Sequence, residues 1–117
     1  KNIKKGKIKI NKNLKLIKPL GFFDFIKLEK NSKFVFTDSG TVQEECAIFK
    51  IPCFIIREYT ERLETIKAGS GILVDNKKDK ILKLLEKYKK EKTQISNIPE
   101  YLIKNVSSKI LSILKNF

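Results

Sequence analysis

The chain has 117 residues, enough for one domain with a real core and too few for two. Hydrophobic residues make up 41% and charged residues 33%, and no apolar run nears the roughly 20 residues that cross a bilayer. The lysine-rich opening leads into no apolar stretch of the signal-peptide kind, so a cytoplasmic protein is expected.

The net charge of +13 favours a nucleic-acid partner, but its make-up does not. Arg57 and Arg62 are the only arginines, which leaves 24 lysines, and the readers of bases and phosphates favour the bidentate guanidinium. Residues 1–18 hold eight lysines and no acid, whereas residues 37–66 hold six acids against three bases. The basic excess therefore avoids the most distinctive segment and reads as solvated surface. A basic nucleic-acid-binding module stays as the alternative from another functional class, and no nucleic-acid partner is expected.

Cys46 and Cys53, with no histidine in the chain, cannot build a four-ligand zinc site and are expected in the core. The chain contains no methionine, so its first residue is not expected to be a translational start, and a fragment of a longer protein is expected.

In chain order, residues 1–13 read as a loop or a truncated end. Leu14-Lys15-Leu16-Ile17 reads as a short strand closed by Lys18-Pro19. Gly21 opens a helix with Phe22, Phe25, Ile26 and Leu28 near helical spacing, ending about Asn31-Ser32. Phe34-Val35-Phe36 reads as a buried parallel strand, Thr37-Asp38-Ser39-Gly40 as a turn, and Thr41 to about Phe49 as a helix. Pro52 leads into the strand Cys53–Ile56, a polar loop follows, and a short helix lies about Arg62–Ala68. Gly69-Ser70-Gly71 breaks it before the strand Ile72-Leu73-Val74.

Asp75 or Asn76 can cap the next helix, whose stripe is Ile81, Leu82, Leu84, Leu85 and Tyr88. Residues 98–117 read as an amphipathic C-terminal helix that should dock on a partner surface. Apolar strands alternating with helices predict an α/β fold with a doubly wound parallel sheet of four strands. In such sheets ligands bind outside the carboxyl ends of the strands.

The turn Thr37–Gly40 occupies such a position. Free N–H groups and the positive end of the helix dipole would meet a phosphate there, with Gly40 allowing close approach and Ser39 adding a hydroxyl. Equally, Asp38 or Ser39 can be a plain N-cap, since Thr41-x-x-Glu44 fits the capping-box pattern. Glu45, one turn into the helix among apolar neighbours, either faces solvent or accepts from paired hydroxyls such as those of a ribose. Arg62 suits a diphosphate, while its flanking glutamates allow a surface ion pair. Phe25 can stack on a planar base or belong to the core.

Three motifs settle these choices together. Pro19-Leu20-Gly21-Phe22-Phe23-Asp24-Phe25, Thr37-Asp38-Ser39-Gly40-Thr41-Val42-Gln43-Glu44-Glu45, and Thr60-Glu61-Arg62-Leu63-Glu64 with Ala68-Gly69 after it occur in this order. In order and spacing the chain resembles the non-hydrolysing UDP-N-acetylglucosamine 2-epimerases, from about Leu14 to Val74. The resemblance implies that residues 1–117 are part of the C-terminal, Rossmann-like, UDP-binding lobe of a glycosyltransferase-B-type fold, incomplete at its N-terminus. It places Phe25 against uracil, Ser39 and Gly40 on the diphosphate, Glu45 on the ribose hydroxyls and Arg62 on the phosphates.

The resemblance further implies inversion at C2 by elimination of UDP and its re-addition, with no cofactor or metal, in the making of cell-surface polysaccharide precursors. The acid–base groups belong to a missing N-terminal lobe, so no catalytic residue is expected in this segment, which would be inactive alone. The partners implied are a UDP-sugar, that lobe, and a second copy in a homodimer of the full-length protein. Membrane association is not expected.

There are departures from the family pattern. Leu63 stands for a usual Pro, Tyr59 adds bulk, and Lys50 stands where a helix-ending Gly is common. Thr41-Val42 replaces a frequent Gly-Ile and resembles members acting on 6-deoxy UDP-sugars on the route to N-acetylfucosamine. A related glycosyltransferase lobe would share the fold and the nucleotide site.

Overall fold

The computed structural model describes residues 11–74, 77–90 and 94–117. In chain order the elements are α1 (Phe22–Lys30), β1 (Val35–Thr37), α2 (Gly40–Phe49), β2 (Cys53–Ile55), α3 (Leu63–Lys67), β3 (Gly71–Leu73), α4 (Lys78–Lys90), a 3-10 turn (Pro99–Leu102) and α5 (Val106–Lys115). The strands form one parallel sheet in the order β1-β2-β3. In register, Thr37 lies opposite Ile55, and Ile55 opposite Leu73.

The sheet is covered on both faces because side chains alternate along a strand. Cys53 and Ile55 of β2 point to one face, where they pack with Cys46, Ile51, Val42 and Ile66. Phe54 points to the other, stacked on Phe36 at 4.9 Å between centroids and edge-on to Tyr88 of α4 at 5.5 Å. All three β2 side chains are fully buried. Both expected core cysteines are free thiols with no solvent access. The doubly wound α/β class holds, built on three strands among the described residues rather than four.

The missing fourth is Leu14–Ile17. This segment is irregular, and Leu14, Leu16 and Ile17 are each more than half exposed. A strand is defined by its ladder, and this segment pairs with none of the three strands. The expected cap at Asp75 or Asn76 lies outside the described residues, as do residues 1–10 of the expected N-terminal loop.

The tail also departs from one continuous helix. The 3-10 turn at Pro99–Leu102 comes first, and Asn105 at φ 61° interrupts the chain before α5, which is exposed along its length. The segment before it folds back instead. Ile98 packs on Ala47 and Ala68, Ser96 N–H donates to the Ala68 carbonyl at 2.9 Å, and Lys50 Nζ donates to the Ile95 carbonyl at 3.0 Å.

Two positions show where the backbone is under constraint. Gly71 lies so close to α3 that an added Cβ would sit 2.6 Å from Thr65 Oγ1. Lys50 closes α2 in the left-handed region at φ 61° and ψ 40°. Such a conformation costs a non-glycine residue about 1–2 kcal/mol, partly offset because glycine gives the unfolded chain about 0.4–1 kcal/mol more entropy to lose. Lys50→Gly is therefore expected to stabilise the fold by up to about 1 kcal/mol, read as a raised denaturation midpoint at unchanged slope. A lowered midpoint would mean that the Lys50–Ile95 hydrogen bond outweighs the relief.

Candidate functional site

The site-bearing loops leave the carboxyl ends of adjacent parallel strands. β1 delivers the turn Asp38-Ser39 to the N-terminus of α2, and β2 delivers the loop Ile56–Arg62 to the start of α3. Parallel pairing of β1 with β2 brings these two loops side by side.

At the first loop, Ser39 is the N-cap residue in extended conformation, and its side chain makes no capping hydrogen bond. Its N–H donates instead to Thr37 Oγ1 at 3.0 Å. The plain capping role open to Ser39 in the sequence is thus not taken up. The half-buried first turn of α2 carries backbone N–H groups and the positive end of its dipole.

Arg62 arrives from the second loop. Its Nη2 lies 3.4 Å from the place a Cβ would occupy on Gly40, and its Cζ 3.6 Å from it. Glu61 Oε1 lies at the same 3.4 Å, so both side chains reach ordinary contact distance over the start of α2. Arg62 Nε donates to Glu44 Oε1 on α2, and Nη1 lies 3.6 Å from Glu61 Oε1. The Glu44 hydrogen bond, then its charge, raise the Arg62 pKa above its ordinary value. The main ion-pair partner is therefore Glu44, one turn into α2 and 18 residues away, rather than the adjacent glutamates.

The Arg62 loop is fixed from below by hydroxyls. Thr60 Oγ1 donates to Gln43 Oε1 at 2.7 Å and accepts the Arg62 N–H at 3.1 Å. Thr65 Oγ1 donates to the Arg62 carbonyl at 2.7 Å. Thr60, Thr65 and Gln43 are all buried. Tyr101 closes the far side by donating to Glu64, which lowers the Glu64 pKa, while burial first and that hydrogen bond second raise the Tyr101 pKa.

Glu45 is half-buried on α2, next in sequence to Cys46, whose thiol donates to Glu29 Oε1 on α1. Phe25 lies one turn before Glu29 on α1 and is 40% exposed, so it is not a core aromatic. The structure thus brings Arg62 against Gly40, with Ser39 next to it in the chain. Glu45 lies further along α2, and Phe25 on α1. Sequence reasoning missed Glu44, Thr60, Gln43, Tyr101 and Glu29. Glu44 could have been found, since it is adjacent to Glu45 in the second motif; the others join the site through contacts made only in the folded chain.

A sequence model of the family described as UDP-N-acetylglucosamine 2-epimerase matches residues 1–115. A UDP-N-acetylglucosamine 2-epimerase of Methanocaldococcus jannaschii is 49% identical over 80 residues, covering 68% of this chain and 22% of that protein. A UDP-N-acetylglucosamine 2-epimerase homolog of Methanococcus maripaludis is 42% identical over 112 residues, 94% of this chain and 30% of that protein. The chain therefore spans less than a third of the length of either relative. A crystal structure of the M. jannaschii UDP-GlcNAc 2-epimerase in complex with UDP-GlcNAc and UDP superposes with a TM-score of 0.84 at 38% identity, covering 98% of this chain and 32% of that one.

The buried hydroxyl under Arg62 gives a direct test. Thr60→Val keeps the shape but strands the Gln43 amide oxygen and the Arg62 N–H. A loss of about 2–3 kcal/mol in unfolding free energy is expected from denaturant titration. A loss below about 0.5 kcal/mol would mean the link imposes no constraint on the loop.

Proposed function

The chain belongs to the UDP-N-acetylglucosamine 2-epimerase family, and from that membership we propose that it is the UDP-binding part of an enzyme interconverting the C2 epimers of a UDP-N-acetylhexosamine. The observation that carries this reading is the Arg62 guanidinium held by Glu44 and set 3.4 Å from the Cβ position of Gly40, at the N-terminus of α2. A helix dipole, free backbone N–H groups and a fixed guanidinium converging on one spot favour a diphosphate.

In this reading Ser39 and Gly40 receive the diphosphate and Arg62 adds a charge-assisted contact to it. Glu45 accepts the two ribose hydroxyls, and the exposed ring of Phe25 lies against uracil. The reaction breaks the anomeric C–O bond, so negative charge builds on UDP as it leaves. Fixed positive groups at that position favour the departing state over the bound sugar. Proton removal and return at C2 fall to acidic groups of a preceding N-terminal lobe, in a cytoplasmic homodimer.

Thr41-Val42 in place of Gly-Ile favours a second reading, in which the sugar is a 6-deoxy UDP-N-acetylhexosamine on a polysaccharide-precursor route. The two readings share the nucleotide site and differ in the sugar alone.

The full-length protein is expected to interconvert the C2 epimers and to exchange the C2 proton with solvent deuterium, seen by NMR. Parallel assays with UDP-N-acetylglucosamine and its 6-deoxy analogue separate the two sugars, and transfer to an acceptor without epimerisation would favour a glycosyltransferase. Arg62→Ala and Glu45→Ala are each expected to weaken UDP binding about 10- to 100-fold by calorimetry, the worth of one charge-assisted hydrogen bond. Wild-type protein without measurable UDP affinity would overturn the reading.

A further inference from the structure

Arg62 has three acidic neighbours, and each competes with a ligand for its donors. Glu44 takes Nε, and the terminal nitrogens Nη1 and Nη2 are the ones that can meet a phosphate. Glu61 comes only to 3.6 Å of Nη1 with a side chain 52% exposed, so water screens it and it yields readily. Glu64 is the stronger competitor. It stands two residues after Arg62 in the first turn of α3, and its side chain is long enough to fold back on the guanidinium. Yet no ion pair joins the two. The carboxylate is engaged elsewhere, because its Oε1 accepts a hydrogen bond from the hydroxyl of Tyr101, 37 residues further on.

Tyr101 is well placed to hold it. The chain from Ile95 to Tyr101 crosses α2 and the end of α3 as a strap. Lys50 Nζ donates to the Ile95 carbonyl at 3.0 Å, and Ser96 N–H donates to the Ala68 carbonyl at 2.9 Å. Ile98 is buried on Ala47 and Ala68, and Tyr101 packs against that cluster. The Tyr101 N–H closes a turn on the Ile98 carbonyl at 3.1 Å. A ring seated in this way has few rotamers to sample, and a hydroxyl bonded to a carboxylate makes a strong, charge-assisted contact.

We propose that Tyr101 is a positioning residue for the nucleotide site, whose hydroxyl keeps Glu64 engaged so that the Arg62 guanidinium stays open to the diphosphate. This rests on the assignment of Arg62 to the diphosphate given above. The Tyr101 hydrogen bond first, and the Arg62 charge as a smaller influence, hold the Glu64 pKa below its ordinary value. Glu64 is therefore charged, and able to compete once released. Without the hydroxyl, that carboxylate would seek the nearest strong donor, and the nearest in sequence is Arg62. A ligand phosphate would then have to displace an internal anion before binding.

The test is UDP affinity of the full-length protein by calorimetry. Tyr101→Phe keeps the ring and removes the hydroxyl, and is expected to weaken UDP binding about tenfold. Adding Glu64→Gln removes the competing charge, so the double variant is expected to recover to within about twofold of wild type. A ring needed only for packing predicts no loss in Tyr101→Phe. A hydroxyl that merely stiffens the loop predicts a loss that Glu64→Gln cannot repair. Either result would overturn the proposal.

Glu64→Gln alone keeps an acceptor for Tyr101 and touches no part of the ligand in this reading, so it is expected to bind UDP at least as tightly as wild type. A tenfold loss there would overturn the proposal even if Tyr101→Phe did not fold. The diphosphate assignment fails separately, through Arg62→Ala binding UDP as well as wild type does.

Discussion

The molecule is organised around β2, whose three side chains are closed to water on both faces of the sheet. Burying Phe54 and Ile55 contributes roughly 1.5–3 kcal/mol each, and in a sheet of three-residue strands no other strand is enclosed so completely. Cys53 and Ile55 hold α2 and α3 on one side, and Phe54 holds α4 on the other. Because β2 pairs in parallel with β1, the loops after the two strands emerge at one end. The meeting of Gly40 with Arg62 is a result of that pairing. Neither loop reaches the other through its own sequence preferences.

On this base, polar side chains refine what the apolar core sets coarsely. Thr60, Thr65 and Gln43 are buried beneath Arg62 and bond its backbone or its loop, while Glu44 takes the guanidinium. Each such bond is modest by itself, about 1 kcal/mol net. Their common effect is directional, because an arginine otherwise free to sample many rotamers is confined beside one helix end. Preorganisation of this kind favours binding of a charged ligand, since less conformational entropy remains to be lost. At its other end α2 closes at Lys50 in a conformation that suits glycine.

Much of this was legible in the residues. The apolar runs at 34–36, 53–56 and 72–74 gave three strands within a residue or so of their true bounds, and the turn at Thr37–Gly40 fell where it was expected. Leu14–Ile17 reads as a strand equally well, because composition reports fitness for a ladder and not the presence of a neighbour. α1 is the clearest failure of pattern. Its apolar residues Phe22, Phe25 and Leu28 are exposed while Glu29 is buried. Periodicity reveals that a helix exists, but the partner helix decides which face is covered. The links Arg62–Glu44 and Tyr101–Glu64 join residues 18 and 37 positions apart, and no local pattern announces such pairs.

The shortness of the strands ties accuracy of folding to accuracy of recognition. A slip of β2 by one residue against β1 would turn Phe54 toward the face now occupied by Cys53 and Ile55, exchanging a ring for two small slots. The same slip would carry the second loop about 3.3 Å along the strand direction, beyond the reach of any hydrogen bond now made to Arg62. A misregistered chain would therefore be unable both to close its core and to assemble its pocket. Any selection for one of these properties also selects for the other.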